Sequence, residues 1–269
     1  MLAQKESRDL QREKSNTSVN LERIRNTAED LLHAHKAIAF TGAGISVESG
    51  IPDFRSAMGL WSKYSPDEYA TIDAFRANPR KVWKMLAEMV GLVMHAEPNL
   101  AHVGLADLER LGKLHAVITQ NVDGLHQAAG SRNVIEYHGS NATLSCLSCG
   151  CRIGTETLSM DDLPPTCPQC RSIMKPDVVF FGEPIPWEAH RRAVEAATTC
   201  DLVLVIGTSS LVYPAADIPI QAKESGAKVI EINPESTPLT PQVSDYILQG
   251  RSGEILPRVV ETLKTLMGQ

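Results

Sequence analysis

The sequence lacks any run of about 18 apolar residues, the minimum for a helix that crosses a membrane. It also lacks an apolar signal core, because the opening MLAQKESRDLQREKSNTSVN is predominantly polar. Both absences predict a cytoplasmic protein with no membrane contact, and a disordered tail over residues 1–20. An excess of basic residues is missing too: 26 Lys and Arg stand against 32 Asp and Glu, for a net charge of -6. Nucleic-acid binders usually carry a basic stripe, so this balance argues against direct nucleic-acid binding. The 269 residues suffice for one α/β domain plus a small inserted module.

What is present is an alternation of short apolar runs and helical periods. Residues 37–40 (AIAF), 114–119 (LHAVIT), 202–206 (LVLVI) and 228–232 (KVIEI) read as buried strands. Helical spacing is expected over 21–35, 79–95, 100–111, 187–198 and 214–225. Strands alternating with helices predict a doubly wound parallel sheet. Each strand runs into small or polar residues: GAG, QNVD, GTSS and NPE. In such sheets ligands sit beyond the carboxyl ends of the strands, so these four segments predict a lined cleft.

Residues 141–177 break the pattern with several prolines and no strong helix. Here stand Cys146-x-x-Cys149 and, after seventeen residues, Cys167-x-x-Cys170. Two such knuckles close a four-sulfur tetrahedral site, and the spacing is that of a zinc ribbon. Four protein ligands leave no open position, so the expected zinc is structural. Cys151 lies near enough to compete as a ligand, but the x-x spacing favours Cys149. Residues 141–177 are therefore expected to be a small zinc-binding domain inserted between 21–140 and 178–269, the two parts of a Rossmann-like domain.

The turn from Thr41 to Gly50 (TGAGISVESG) follows a strand and is expected to open a helix, a setting suited to a phosphate. It is not the G-x-G-x-x-G fingerprint, since Val47 stands where the third glycine would fall. Ile51-Pro52-Asp53-Phe54-Arg55-Ser56 then sets a carboxylate, an aromatic ring and a guanidinium beside it, continuing through Gly59-Leu60-Trp61 as an expected lid.

Together with TQNVDGLH (119–126), HGS (138–140), KPDVVFFGE (175–183), GTSSLVYPAA (207–216) and EINPE (231–235), these segments resemble the sirtuins. Sirtuins are NAD-dependent protein-lysine deacylases, and the motifs stand in that family's order over roughly residues 30–258. The resemblance implies a Rossmann-like fold with a zinc ribbon, NAD as co-substrate, one structural zinc on Cys146, Cys149, Cys167 and Cys170, and acyl-lysine proteins or peptides as substrates. It implies that Gly42, Ala43, Gly44, Ile45, Asp53, Phe54 and Arg55 hold the pyrophosphate and nicotinamide end of NAD. Gln120, Asn121 and Asp123 would line the ribose and nicotinamide pockets, while Gly207, Thr208, Ser209, Asn233 and the backbone near Ser252 would hold the adenosine half. Val178, Phe180, Gly182 and Glu183 would form the edge along which the substrate peptide adds as a strand. The helix at 79–95 and the lid would cover the acyl-lysine tunnel. The expected catalytic residues are His138, as general base, and Asn121. The enzyme is expected to act as a monomer.

The chemistry suits that assignment. Breaking the bond to nicotinamide builds positive charge on the ribose, and a ribose hydroxyl must then lose a proton. Histidine, with an unperturbed pKa of about 6.5, fits that step. His138 is one of eight histidines. His126 is its main competitor but is structural by the family pattern, and His33, His35, His95, His102, His115 and His190 have no motif support. Desuccinylating sirtuins carry a Tyr and an Arg three apart on the helix after the lid, where this chain has Leu86 and Met89. An acidic acyl chain would find no partner there. Acetyl-lysine is therefore the expected substrate, with longer neutral chains also admitted. The competing readings are an NAD-dependent ADP-ribosyltransferase, a non-catalytic NAD- or zinc-binding module, and an oxidoreductase.

Overall fold

The computed structural model describes residues 20–56, 59–156, 158 and 163–269. Apart from Asn20, the tail expected at residues 1–20 lies outside the described residues.

A helix over residues 20–33 (α1) leads into β1 (Ala37–Thr41) and a seven-residue 3-10 segment, Ala43–Ser49. Four helices follow: α2 (Leu60–Lys63), α3 (Pro66–Tyr69), α4 (Ile72–Ala77) and α5 (Pro79–His95). Next come α6 (Leu100–Arg110), β2 (Ala116–Thr119), α7 (Leu125–Ala128) and β3 (Val134–Glu136). Then β4 (Gly139–Ser145), β5 (Arg152–Gly154) and β6 (Lys175–Val178) form a small antiparallel sheet in the order β5-β4-β6. The chain closes with α8 (Trp187–Thr199), β7 (Leu202–Ile206), α9 (Asp217–Glu224), β8 (Lys228–Asn233), β9 (Tyr246–Gln249) and α10 (Ser252–Leu266).

The large sheet has the order β3-β2-β1-β7-β8-β9, and every pairing is parallel. From β1 the chain winds outward through β2 and β3, then returns to β7 and winds the other way. The reversal between β1 and β7 opens a crevice at their carboxyl ends, the ligand position in open α/β sheets.

Side-chain alternation along each strand splits the core into two layers. Ala37, Ala39, Leu202, Leu204, Ile230 and Ile232 pack against α1, α6 and α10 on one face. Ile38, Phe40, Val203, Val205 and Val229 pack against α8 and α9 on the other. Burying each large side chain contributes about 1.5–3 kcal/mol, so both layers stabilise the sheet strongly. A third cluster joins the small sheet to α2, α4 and α5: Leu144, Cys146, Cys167 and Met174 pack with Leu60, Phe75, Trp83 and Leu86. The indole N–H of Trp83 donates to the Met174 carbonyl at 2.8 Å, fixing α5 to the cysteine-bearing module.

The elements differ from the sequence reading in a few places. The second strand begins at Ala116, two residues later than expected, and α9 begins at Asp217, after the turn that holds Pro214. The expected helix after Gly42 is a 3-10 segment, whose short aligned dipole adds little. β3 and β9, of three and four residues, are too short to show a period in the sequence. Among the described residues, no helix is long and apolar enough to cross a membrane.

Candidate functional site

The crevice is built from glycines that let β1 and β7 close on each other. Gly42 N–H donates to the Ile206 carbonyl at 3.1 Å, and Gly44 N–H donates to that of Gly207 at 2.7 Å. A Cβ on Gly44 would lie 2.7 Å from the Gly207 carbonyl oxygen, so no larger residue fits. Gly207 has φ +59, and a Cβ there would lie 2.3 Å from the Ile45 nitrogen. The result is a main-chain cradle at the topological switch point, with no side chain across it at these positions.

Polar side chains from neighbouring strand ends converge on the cradle. Gln120 donates to the Thr208 hydroxyl at 2.9 Å, and Asn233 donates to the Thr208 carbonyl at 3.0 Å. Arg55, exposed, reaches the Ser209 hydroxyl at 3.4 Å. Asp53 accepts from the Ser56 N–H at 3.1 Å, while its carbonyl accepts from Leu60 N–H at 2.8 Å, so this loop folds back on itself. Phe54 lies against Trp61 with ring centroids 5.2 Å apart, and Trp61 in turn faces Phe181 at 6.4 Å.

Beneath the cradle runs a buried polar network. Asn121 donates to the Gly42 carbonyl at 3.2 Å and to the Ser46 hydroxyl at 3.0 Å. Ser46 donates to the Asp123 carboxylate at 2.7 Å, and its oxygen lies 3.5 Å from His102 Nε2. His102 Nδ1 accepts the Asn99 N–H at 3.3 Å, closing a cap at the start of α6. His126 Nε2 lies 3.0 Å from the Thr41 hydroxyl, and its ring packs edge-on to His102 at 4.9 Å. Burial pushes His102 down to about 4 and His126 to about 3, so both stay neutral at physiological pH.

His138 is different. It is half-buried at the rim of the cleft, just before β4, and its Nδ1 lies 3.1 Å from the Gln120 carbonyl. A carbonyl can only accept, so Nδ1 carries the proton and Nε2 is left as the basic nitrogen. Burial lowers the His138 pKa below its ordinary 6.5, and the Gln120 hydrogen bond opposes that shift. Gly139 must follow it: at φ +76, a Cβ would lie 2.1 Å from the Asp177 carbonyl oxygen.

Four of the expected residues have side chains engaged within the protein interior or with its own backbone. Ile45 is fully buried in the core, so only its backbone borders the cradle. Phe180 is also a core residue, packed edge-on to Phe75 at 5.7 Å, while Phe181 is exposed. The Glu183 carboxylate turns inward, accepting the Phe180 N–H at 2.8 Å and pairing with Lys175 at 2.9 Å. Ser252 is buried at the start of α10, where the neighbouring Gly253 N–H donates to Glu48 at 2.8 Å. His102 was missed by sequence reasoning. No motif contains it, and its place beside Ser46 becomes visible only once α6 packs under the 3-10 segment.

The cysteines form a tetrathiolate cage. The ligand atoms of Cys146, Cys149, Cys167 and Cys170 all lie within 4.8 Å of one another, which suits the tetrahedral edges of a Zn–S site. The two knuckles repeat one geometry. Gly150 N–H donates to Cys146 O and Arg171 N–H to Cys167 O, both at 2.9 Å, and each donor residue has positive φ. The donor set and its shape fit one zinc ion with no open ligand position.

The profile of the Sir2 family matches residues 42–214. The chain is 49% identical over 250 residues to the NAD-dependent protein deacylase of Pyrococcus abyssi, covering 91% of this chain and 99% of that one. Among solved structures it resembles a Sir2 homolog–NAD complex with TM-score 0.84 at 44% identity, covering 89% of this chain and 93% of the other. It also resembles Sir2Af2 bound to a myristoylated histone peptide, with TM-score 0.80 at 41% identity, covering 92% and 98%.

Proposed function

The chain belongs to the Sir2 family, and on that premise we propose that it is an NAD-dependent protein-lysine deacylase using His138 as its base. The observation that carries this reading is the half-buried His138, its Nδ1 held by Gln120, at the edge of a glycine cradle on the switch point. Relatives named as NAD-dependent protein deacylases, and a related structure holding NAD, support it.

NAD supplies the electrophilic ribose carbon when nicotinamide leaves; with one water consumed, the acyl group ends on ADP-ribose and the lysine is freed. The pyrophosphate lies against the loop of Gly42, Ala43 and Gly44 and against Gly207, where the glycines let the ends of β1 and β7 approach closely. Asp53, Phe54 and Arg55 close the nicotinamide end, with the Ile45 backbone beside them. Thr208, Ser209, Asn233 and the Ser252 backbone border the adenosine half. Gln120 and Asn121 fix the ribose side, and Asp123 acts through Ser46. His138 Nε2 takes the proton of a ribose hydroxyl, a step worth about 10²–10⁴-fold in rate.

Acyl-lysine peptides are the second substrate. Their docking edge is the segment from Val178 to Glu183, of which Val179 O, the Gly182 peptide and Glu183 O remain without a hydrogen-bond partner among the described residues. The acyl chain meets Leu60, Trp61, Leu86 and Met89, all part of one apolar cluster. This lining favours acetyl and longer neutral chains over charged ones, and Sir2Af2 with its myristoylated peptide supports the longer ones. The zinc on the four cysteines holds the small sheet and takes no part in the reaction. Four cysteines grouped as metal ligands, with Cys151 and Cys200 outside any disulfide, suit a reducing, cytoplasmic setting.

The test is a rate comparison on acetyl- and succinyl-lysine peptides with NAD. Faster removal of acetyl is expected; faster removal of succinyl would overturn the acyl preference, and no removal of either would overturn the activity.

A further inference from the structure

Lys175 is a buried lysine, 6% exposed, at the start of the segment that forms the substrate edge. An ammonium group has three N–H donors and cannot be buried cheaply without partners for them. All three are matched. Nζ donates to the Pro176 carbonyl at 3.0 Å and the Val178 carbonyl at 2.7 Å, and it lies 2.9 Å from the Glu183 carboxylate. It also sits 4.5 Å from the centre of the Phe180 ring. The same Glu183 carboxylate takes the Phe180 N–H at 2.8 Å, and Glu183 N–H returns to the Phe180 carbonyl at 2.9 Å.

These bonds use up the polar groups that would otherwise compete along the edge. Val178 O, Phe180 N–H, Phe180 O and Glu183 N–H are engaged within the segment itself. Val179 N–H goes to the His138 carbonyl at 2.8 Å, and Phe181 is pinned on the other side by Ala70 and Ile72. Val179 O, the Gly182 peptide and Glu183 O are left unpaired along this edge among the described residues. The ammonium therefore fixes which backbone groups are offered and their distance from His138.

We propose that Lys175, through its ion pair with Glu183, is a positioning residue that sets the register of the substrate peptide against His138 without touching substrate or NAD. This rests on the deacylase reading given above. It also assigns the Glu183 side chain an internal role, so that Glu183 serves the substrate by shaping the edge.

The experiment compares wild type with Lys175→Met, Lys175→Arg and Glu183→Gln. The readouts are KM for an acetyl-lysine peptide, KM for NAD, kcat, and hydrogen exchange at the Val179 and Phe180 amides. Zinc content and thermal melting serve as controls of the fold. Lys175→Met is expected to raise the peptide KM by about tenfold or more, with NAD KM and kcat nearly unchanged. Exchange at the two amides should quicken in the same variant, and Lys175→Arg should restore most of both effects. Glu183→Gln keeps the shape and removes only the charge, so it carries the test if Lys175→Met does not fold. An unchanged peptide KM in a folded variant would overturn the proposal. So would a parallel rise in peptide KM and NAD KM with a fall in melting temperature, which would mark a purely structural lysine. If the wild type removes no acyl group, the deacylase reading fails, while the exchange measurement still reports whether the clamp exists.

Discussion

The main-chain N–H of Val179 donates to the carbonyl of His138 at 2.8 Å. One hydrogen bond thus ties the proposed substrate edge to the residue proposed as base. The bond forms because β6 pairs antiparallel with β4, whose first residue directly follows His138. The small sheet therefore does more than carry cysteines: its pairing sets the spacing between the proposed substrate edge and the proposed base.

The pH dependence of turnover follows from the setting of His138. Its pKa lies below 6.5 because burial disfavours the imidazolium. A base with a lowered pKa keeps its neutral form as the pH falls through 6.5, so kcat/KM should hold there and drop only at more acidic pH. The profile of kcat/KM against pH checks this. An acidic limb centred above 6.5 would contradict it.

Stability should respond to a different pair. His102 and His126 are neutral in the fold, with pKa values of about 4 and about 3, against 6.5 for an ordinary histidine. Below 6.5 the unfolded chain takes up protons that the folded chain refuses, so folding loses stability progressively from 6.5 down to those values. The loss should reach a few kcal/mol, since each tenfold change in proton affinity between the folded and unfolded chain is worth about 1.4 kcal/mol. Melting temperatures at pH 7.5 and 5 test it, since few carboxylates titrate in that interval. A flat melting temperature would count against buried neutral histidines.

Gly44→Ala should weaken NAD binding by about tenfold or more, since the new Cβ would lie 2.7 Å from Gly207 O and force β1 and β7 apart. Calorimetric titration with NAD measures this directly. Affinity equal to wild type would mean that the cradle is not the pyrophosphate site.

The four-cysteine cage should hold one zinc per chain. Cys151→Ser should retain it, whereas Cys146→Ser should lose it and loosen the cluster shared with α5, because Cys146 is buried among Leu144, Trp83 and Leu86. Metal analysis of both variants decides the matter. Zinc loss from Cys151→Ser would place Cys151 in the ligand set.

Much of this was legible in the sequence wherever the signal is local. Two Cys-x-x-Cys pairs bring their sulfurs together by turn geometry alone, and the cluster formed as the spacing implied. Apolar runs such as LVLVI read as strands because every residue is buried. What could not be read depends on contacts distant along the chain. His102 and Ser46 meet across 56 positions, so nothing near either residue announces the pair. β9 is four residues long and gains its identity only from pairing with β8. The inward turn of Glu183 depends on the buried Lys175 eight positions earlier, where the sequence shows only charged residues in a motif.

The central claim is that NAD is consumed to remove an acyl group with His138 as the base. The most direct measurement is mass spectrometry of the products formed from NAD and an acetyl-lysine peptide, with wild type and His138→Ala side by side. Wild type should yield nicotinamide, deacetylated peptide and O-acetyl-ADP-ribose in equal amounts, and the variant, still folded and zinc-loaded, should lose about 10²–10⁴-fold of that turnover. ADP-ribose attached to protein with the acetyl group left in place, or undiminished deacetylation by His138→Ala, would contradict it.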